Sequence, residues 1–118
     1  MKRYILSILL LSFVLISPQS YSKKIKWKKE TVAVSGNCNM CKNKIEEAAL
    51  SVEGVKSAKW SSTNEKLKLK FDPAKTTLED ILKNVADIGY DSEKFIAKDE
   101  VYKNLHYCCK YERKLKKK

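Results

Sequence analysis

The sequence has few of the residues on which most enzyme chemistry depends. It contains one histidine, three glycines and two prolines in 118 residues. No Ser/His/Asp set, no carboxylate pair placed for acid–base catalysis and no glycine-rich phosphate loop can be assigned. These absences argue against a hydrolase or a phosphoryl-transfer enzyme and favour a binding module.

Long hydrophobic runs are also missing. The longest, residues 4–16, is interrupted by two serines and falls short of the roughly 17–25 residues that a membrane-spanning helix needs. It follows Lys2 and Arg3 and leads to small residues before Lys23, a pattern typical of a signal peptide. We therefore expect residues 1–22 to be cleaved and the protein to reach the periplasm or the extracellular space. An uncleaved anchor is the less favoured alternative.

Acidic side chains are outnumbered. The chain has 25 Lys and Arg against 14 Asp and Glu, a formal charge of +11, or +9 without Lys2 and Arg3. We interpret residues 23–29 as a basic N-terminal extension and residues 98–118 as a basic, solvated C-terminal tail that carries two cysteines. Export disfavours nucleic acid as a partner, so anionic membranes or surface polymers would be the targets of such a tail.

Cysteines are also few, but their placement is informative. Cys38 and Cys41 are separated by two residues, where a strand is expected to meet a helix. A disulfide between them would close almost no chain and would stabilise little. At a helix start, the helix dipole and the unpaired backbone N–H groups stabilise thiolates instead. Because thiolates bind soft ions, the pair predicts a metal site.

Hydrophobic periodicity predicts one α+β domain over residues 30–97. Strands are expected at residues 31–34, 55–61, 67–71 and 90–97, and amphipathic helices begin near Cys41 and Leu78. Gly89 is expected to end the second helix. The order βαββαβ is that of a ferredoxin-like fold, in which two helices cover one face of a four-stranded antiparallel sheet.

This order, with Cys-X-X-Cys between the first strand and helix and Gly89-Tyr90 after the second helix, resembles the heavy-metal-associated domain. Bacterial copper chaperones, domains of copper-transporting ATPases and the periplasmic mercury-binding protein form that family. The resemblance implies that Cys38 and Cys41 bind a soft ion, usually Cu(I) and sometimes Hg(II), Zn(II) or Cd(II). It also implies that Tyr90 lies beside the metal loop and that a membrane metal transporter is a partner.

The metal loop departs from the family pattern. Gly36 replaces the methionine of Met-X-Cys-X-X-Cys, and Met40 stands between the cysteines instead. In the family that methionine packs beneath the loop, so its absence predicts a looser loop. We expect Met40 to contribute packing, since methionine fills irregular gaps readily; ligation by Met40 is the alternative.

Two thiolates satisfy a linear or trigonal soft ion, whereas Zn(II) normally takes four ligands, so the pair favours Cu(I) or Hg(II). A second group of potential ligands follows the domain: His106, Cys108 and Cys109. We hypothesise that these residues bind a second ion or add ligands to the first. The alternative is a vicinal disulfide, or packing of the tail on the sheet.

Three functions compete. The favoured one is an exported carrier that delivers the ion to a transporter or sequesters it, as a monomer or a metal-bridged dimer. The second is a thiol–disulfide oxidoreductase using the same pair. Against it, no proline is available to stand beside the sulfurs, because Pro73 follows the third strand. The third is a surface-binding protein led by its basic tail.

Overall fold

The computed structural model describes residues 24–115. The expected signal peptide therefore lies outside the described residues, as do the last three lysines of the chain. Within the described part, three strands form one antiparallel sheet in the order β1-β3-β2. Their bounds are β1, Lys28–Ala33; β2, Val55–Ser61; and β3, Lys66–Phe71. No helix of residues 24–115 has the length and apolar character needed to cross a membrane.

The central strand β3 shows how sequence pattern sets the sheet. Its apolar residues Leu67, Leu69 and Phe71 are buried, while the intervening lysines are exposed or half-exposed. Leu67 pairs with Val32 of β1 on one side and with Trp60 of β2 on the other. Alternation with period two therefore places one face of the sheet on the core, as the sequence predicts.

The main helices, α1 (Asn39–Leu50) and α2 (Leu78–Asp87), cover that buried face. The Thr77 hydroxyl caps α2 by accepting a hydrogen bond from the backbone N–H of Asp80 at 3.2 Å. A short helix α3 (Asp99–Lys103) and a 3₁₀ turn (Tyr107–Cys109) follow. The arrangement confirms the predicted α+β, ferredoxin-like class.

The fourth predicted strand, residues 90–97, is wrong in detail. Among the described residues it is reduced to a single antiparallel bridge between Val34 and Ser92. Ser92 folds the chain into a tight turn: its backbone N–H donates to the Phe95 carbonyl at 2.8 Å, and its Oγ accepts from the Phe95 N–H at 3.1 Å. Backbone groups used within this turn are not available to extend a ladder along β1.

The residues after α3 pack on the domain through some of their side chains, so this part of the expected tail is not fully solvated. Within the C-terminal segment, defined here as residues 105–113, Cys109 and Tyr111 join the hydrophobic core with 0% and 1% of their surface exposed. The Leu105 side chain packs against Gly89. A Cβ added to Gly89 would lie only 2.9 Å from the Leu105 Cδ2 atom. Gly89, with φ of +109°, thus both ends α2 as predicted and admits the C-terminal segment.

Candidate metal centre

Cys38 and Cys41 lie at the first turn of α1, as the sequence predicts. Cys38 is the N-cap residue of this helix, and its side chain makes no capping hydrogen bond of ordinary geometry. The two Sγ atoms are 3.9 Å apart. With metal–sulfur bonds of about 2.3 Å, two thiolates on one ion lie roughly 3.8–4.6 Å apart, depending on the bond angle. The pair is therefore spaced to bind a single ion.

The environments of the two thiols differ. Backbone N–H groups at the start of α1, that of Cys41 above all, lower the pKa of Cys38 to about 7. Cys41 is fully buried, and this burial raises its pKa above the ordinary value. Cys38 is the thiol that ionises readily near neutral pH and is accessible to an arriving ion, whereas Cys41 is the inner partner.

The prediction of a loose loop is not supported, because Trp60 fills the space beneath it. A Cβ on Gly36 would lie 2.9 Å from the Trp60 ring and 3.2 Å from the Ile45 side chain. The Trp60 indole N–H donates to the Val34 carbonyl at 2.8 Å and holds the ring in place. Sequence reasoning missed this pairing. A glycine two residues before the first cysteine and a tryptophan on the buried face of β2 were the available signals.

The C-terminal segment brings two more thiols to the same place. The Cys108 Sγ lies 3.9 Å from the Cys38 Sγ. The sulfur atoms of Cys38, Cys108 and Cys109 all lie within 4.8 Å of one another, and the described cysteines are free thiols. Cys108 is half-exposed and Cys109 is fully buried. The second group of ligands predicted from the sequence therefore adjoins the first pair.

His106 and Met40 flank Cys108. The His106 Nδ1 lies 3.2 Å from the Cys108 Sγ, and the Met40 Sδ lies 3.7 Å from it. Met40 is 39% exposed, so it packs over the C-terminal segment rather than beneath the loop. Both side chains thus contact the thiol that comes from the far end of the chain.

Tyr90 lies on the inner side of this cluster. It is fully buried, and its hydroxyl has no hydrogen-bond partner among the described residues. Burial raises the pKa of Tyr90 above its ordinary value, and the adjacent Cys109 and Cys41 thiols add to this effect. A buried hydroxyl without an acceptor is costly, whereas a negatively charged, metal-bound thiolate would accept its hydrogen bond. The Tyr90 hydroxyl is therefore free to donate a hydrogen bond to a sulfur of this cluster.

The sequence of this chain is similar to those of known copper-handling proteins. The chain is 36% identical over 66 residues to the copper chaperone CopZ of Enterococcus hirae, a match that covers 55% of this chain and 96% of that protein. It is 36% identical over 56 residues to a copper-exporting P-type ATPase of Staphylococcus epidermidis, which covers 48% of this chain and only 7% of the ATPase.

The fold of this chain is also similar to those of solved structures. Oxidised MerP from Ralstonia metallidurans CH34 superimposes with a TM-score of 0.54 at 31% identity, covering 57% of this chain and 94% of that one. Residues 31–91 match the model of the heavy-metal-associated domain. These residues include the loop with Cys38 and Cys41, both main helices and Tyr90. The chain belongs to the heavy-metal-associated domain family.

Proposed function

We propose that this protein is an exported carrier that binds one soft metal ion, Cu(I) in first place, through the thiolates of Cys38 and Cys41. The observation that carries the proposal is the pair of sulfur atoms 3.9 Å apart at the start of α1. The low pKa of Cys38, about 7, supports it, because a thiolate is then present near neutral pH without a strong base.

Cu(I) is favoured by the chemistry of the donors. Thiolates are soft ligands, and Cu(I) is satisfied by two or three of them, whereas Zn(II) and Cd(II) favour four. Hg(II) fits two thiolates equally well. The names of the relatives, a copper chaperone and a copper-exporting ATPase, favour copper over mercury. Family membership also agrees with the prediction that the chain is not an enzyme.

The partner we propose is a membrane metal transporter. Domains of this family occur in copper-exporting P-type ATPases, and the chain resembles one of them over 56 residues. Two similar domains can exchange an ion between their thiol pairs, because an incoming thiolate binds the ion before the old one leaves. Export itself rests on the leader-like residues 1–22 and is tested by sequencing the N-terminus of the protein recovered from the cell envelope.

Native mass spectrometry tests metal binding directly. The reduced chain without residues 1–22, which retains every described residue, is titrated with Cu(I), Zn(II) and Hg(II) beside its Cys38→Ser/Cys41→Ser variant. We expect one tightly held soft ion in the parent chain and none in the variant. Binding no tighter than that of a generic dithiol peptide would refute the proposal and would favour thiol–disulfide exchange as the use of the pair.

A further inference from the structure

The strongest unassigned feature of the molecule is the position of Cys108. This thiol comes from the C-terminal segment, beyond the residues that match the family model, yet its sulfur lies 3.9 Å from that of Cys38. The distance equals that between Cys38 and Cys41. Cys38 thus has two thiol neighbours at the spacing of ligands on one ion.

We propose that Cys108 is a third thiolate ligand of the ion held by Cys38 and Cys41, and that the C-terminal segment is a built-in cap that closes the site. This inference rests on the proposed function, because it requires that the first pair binds a metal. In a planar three-coordinate site with metal–sulfur bonds of about 2.3 Å, the sulfurs are about 4.0 Å apart. The Cys38–Cys41 and Cys38–Cys108 distances match this value. The three sulfurs that lie within 4.8 Å of one another are those of Cys38, Cys108 and Cys109, so binding of the ion would draw the half-exposed Cys108 side chain toward Cys41.

The cap is held in place by contacts that do not involve the metal. The Tyr111 hydroxyl donates to the Gly89 carbonyl at 2.7 Å and accepts from the backbone N–H of Asp91 at 2.9 Å. The Arg113 guanidinium donates to both carboxylate oxygens of Asp91, at 2.8 and 2.9 Å. Since the Asp91 side chain is fully buried, this ion pair is a firm anchor. The C-terminal segment is therefore in place beside the site before any ion arrives.

Two neighbouring side chains adjoin Cys108. In the tautomer that carries the proton on Nδ1, His106 donates a hydrogen bond to the Cys108 sulfur. On the inner side, Cys109 is buried beside the Tyr90 hydroxyl and lies within 4.8 Å of the Cys38 and Cys108 sulfurs. We assign Cys109 to the inner wall of the site and Cys108, which is half-exposed, to the ion.

A third thiolate changes how the ion leaves. In a two-coordinate site an acceptor thiolate enters the open position before an old ligand departs. A ligand from the same chain already occupies that position here, so an acceptor must first displace Cys108. The cap therefore favours retention of the ion over rapid transfer, which makes sequestration, or delivery only to a partner that opens the cap, the function of this site.

Copper K-edge X-ray absorption of the Cu(I)-loaded reduced chain tests the inference. We expect three sulfur ligands in the parent and two in Cys108→Ser. We also expect Cys108→Ser to bind Cu(I) at least about 10–100-fold more weakly, the effect of losing a residue that only supports a metal ligand. Transfer of the ion to a competing chelator should be faster in this variant. Tyr107→Ala is the matched control, because Tyr107 adjoins Cys108 but is 82% exposed, and it should behave as the parent.

The outcomes separate the two proposals. Two sulfur ligands in the parent, or a Cys108→Ser variant that matches the parent in coordination and affinity, would overturn the capped site. The proposed function would survive that result if Cys38→Ser/Cys41→Ser still abolished binding. Because Cys108 is half-exposed, its serine variant is expected to fold, and an unchanged far-ultraviolet circular dichroism spectrum verifies this.

Discussion

The hydroxyl of Tyr111 joins the C-terminal segment to the domain, and its removal gives the sharpest test of the structure. Tyr111→Phe leaves the ring stacked on Tyr90, at 5.8 Å between centroids, and deletes two hydrogen bonds. The backbone carbonyl of Gly89 and the N–H of Asp91, both in buried residues, lose the partner they have in the native protein. The ring contacts are unchanged, so the substitution isolates the polar anchor.

A net hydrogen bond contributes about 1 kcal/mol, and two lost bonds predict a fall in unfolding free energy of about 2 kcal/mol. For a domain of this size such a loss lowers Tm by about 8–16 °C. Urea unfolding followed by circular dichroism measures the change, with Tyr107→Phe as the control because its side chain is 82% exposed. If Tyr111→Phe and Tyr107→Phe unfold at the same urea concentration, the segment is not anchored as the structure shows.

Two further substitutions test the supports of the site. Gly36→Ala should destabilise the chain by about 1–3 kcal/mol, because the new Cβ would lie 2.9 Å from the Trp60 ring; an unchanged thermal midpoint would contradict this packing. Asp91→Asn weakens the charged hydrogen bonds that Arg113 makes to this buried side chain and should cost about 1.5–3 kcal/mol by urea unfolding. Glu79→Gln, at an exposed ion pair, is its control and should leave the urea midpoint close to that of the parent.

Local patterns predicted most of the fold. The alternation in residues 67–71 and the helical spacing after Cys41 each depend on neighbouring residues alone, so they could be identified without the rest of the chain. The loss of the expected last strand could not be predicted, because its apolar residues Phe95 and Ile96 are typical of a strand. The hydrogen bonds of the Ser92 turn and the burial of Asp91 reduced it to a single bridge. Competing side-chain hydrogen bonds of this kind are not visible in periodicity.

The loop beneath the cysteines shows a second limit. From the sequence, Gly36 replaces the methionine that packs beneath the loop in the family, and its presence predicted a more loosely packed loop. In the folded protein the Trp60 ring from β2 occupies that space, and the absence of a side chain at position 36 is what admits it. Which residue fills a gap depends on how two distant strands are packed, and this is decided only when the sheet is assembled.

The sequence by itself determined the first thiol pair, since two cysteines three positions apart at a helix start converge whatever the rest of the chain does. The sequence also determined the family to which the chain belongs. Only the tertiary structure decided the place of Cys108, which is 70 residues from Cys38 along the chain. The physical reason is the burial of Tyr111 and the ion pair of Arg113 with Asp91, long-range contacts that fold the C-terminal segment over the site.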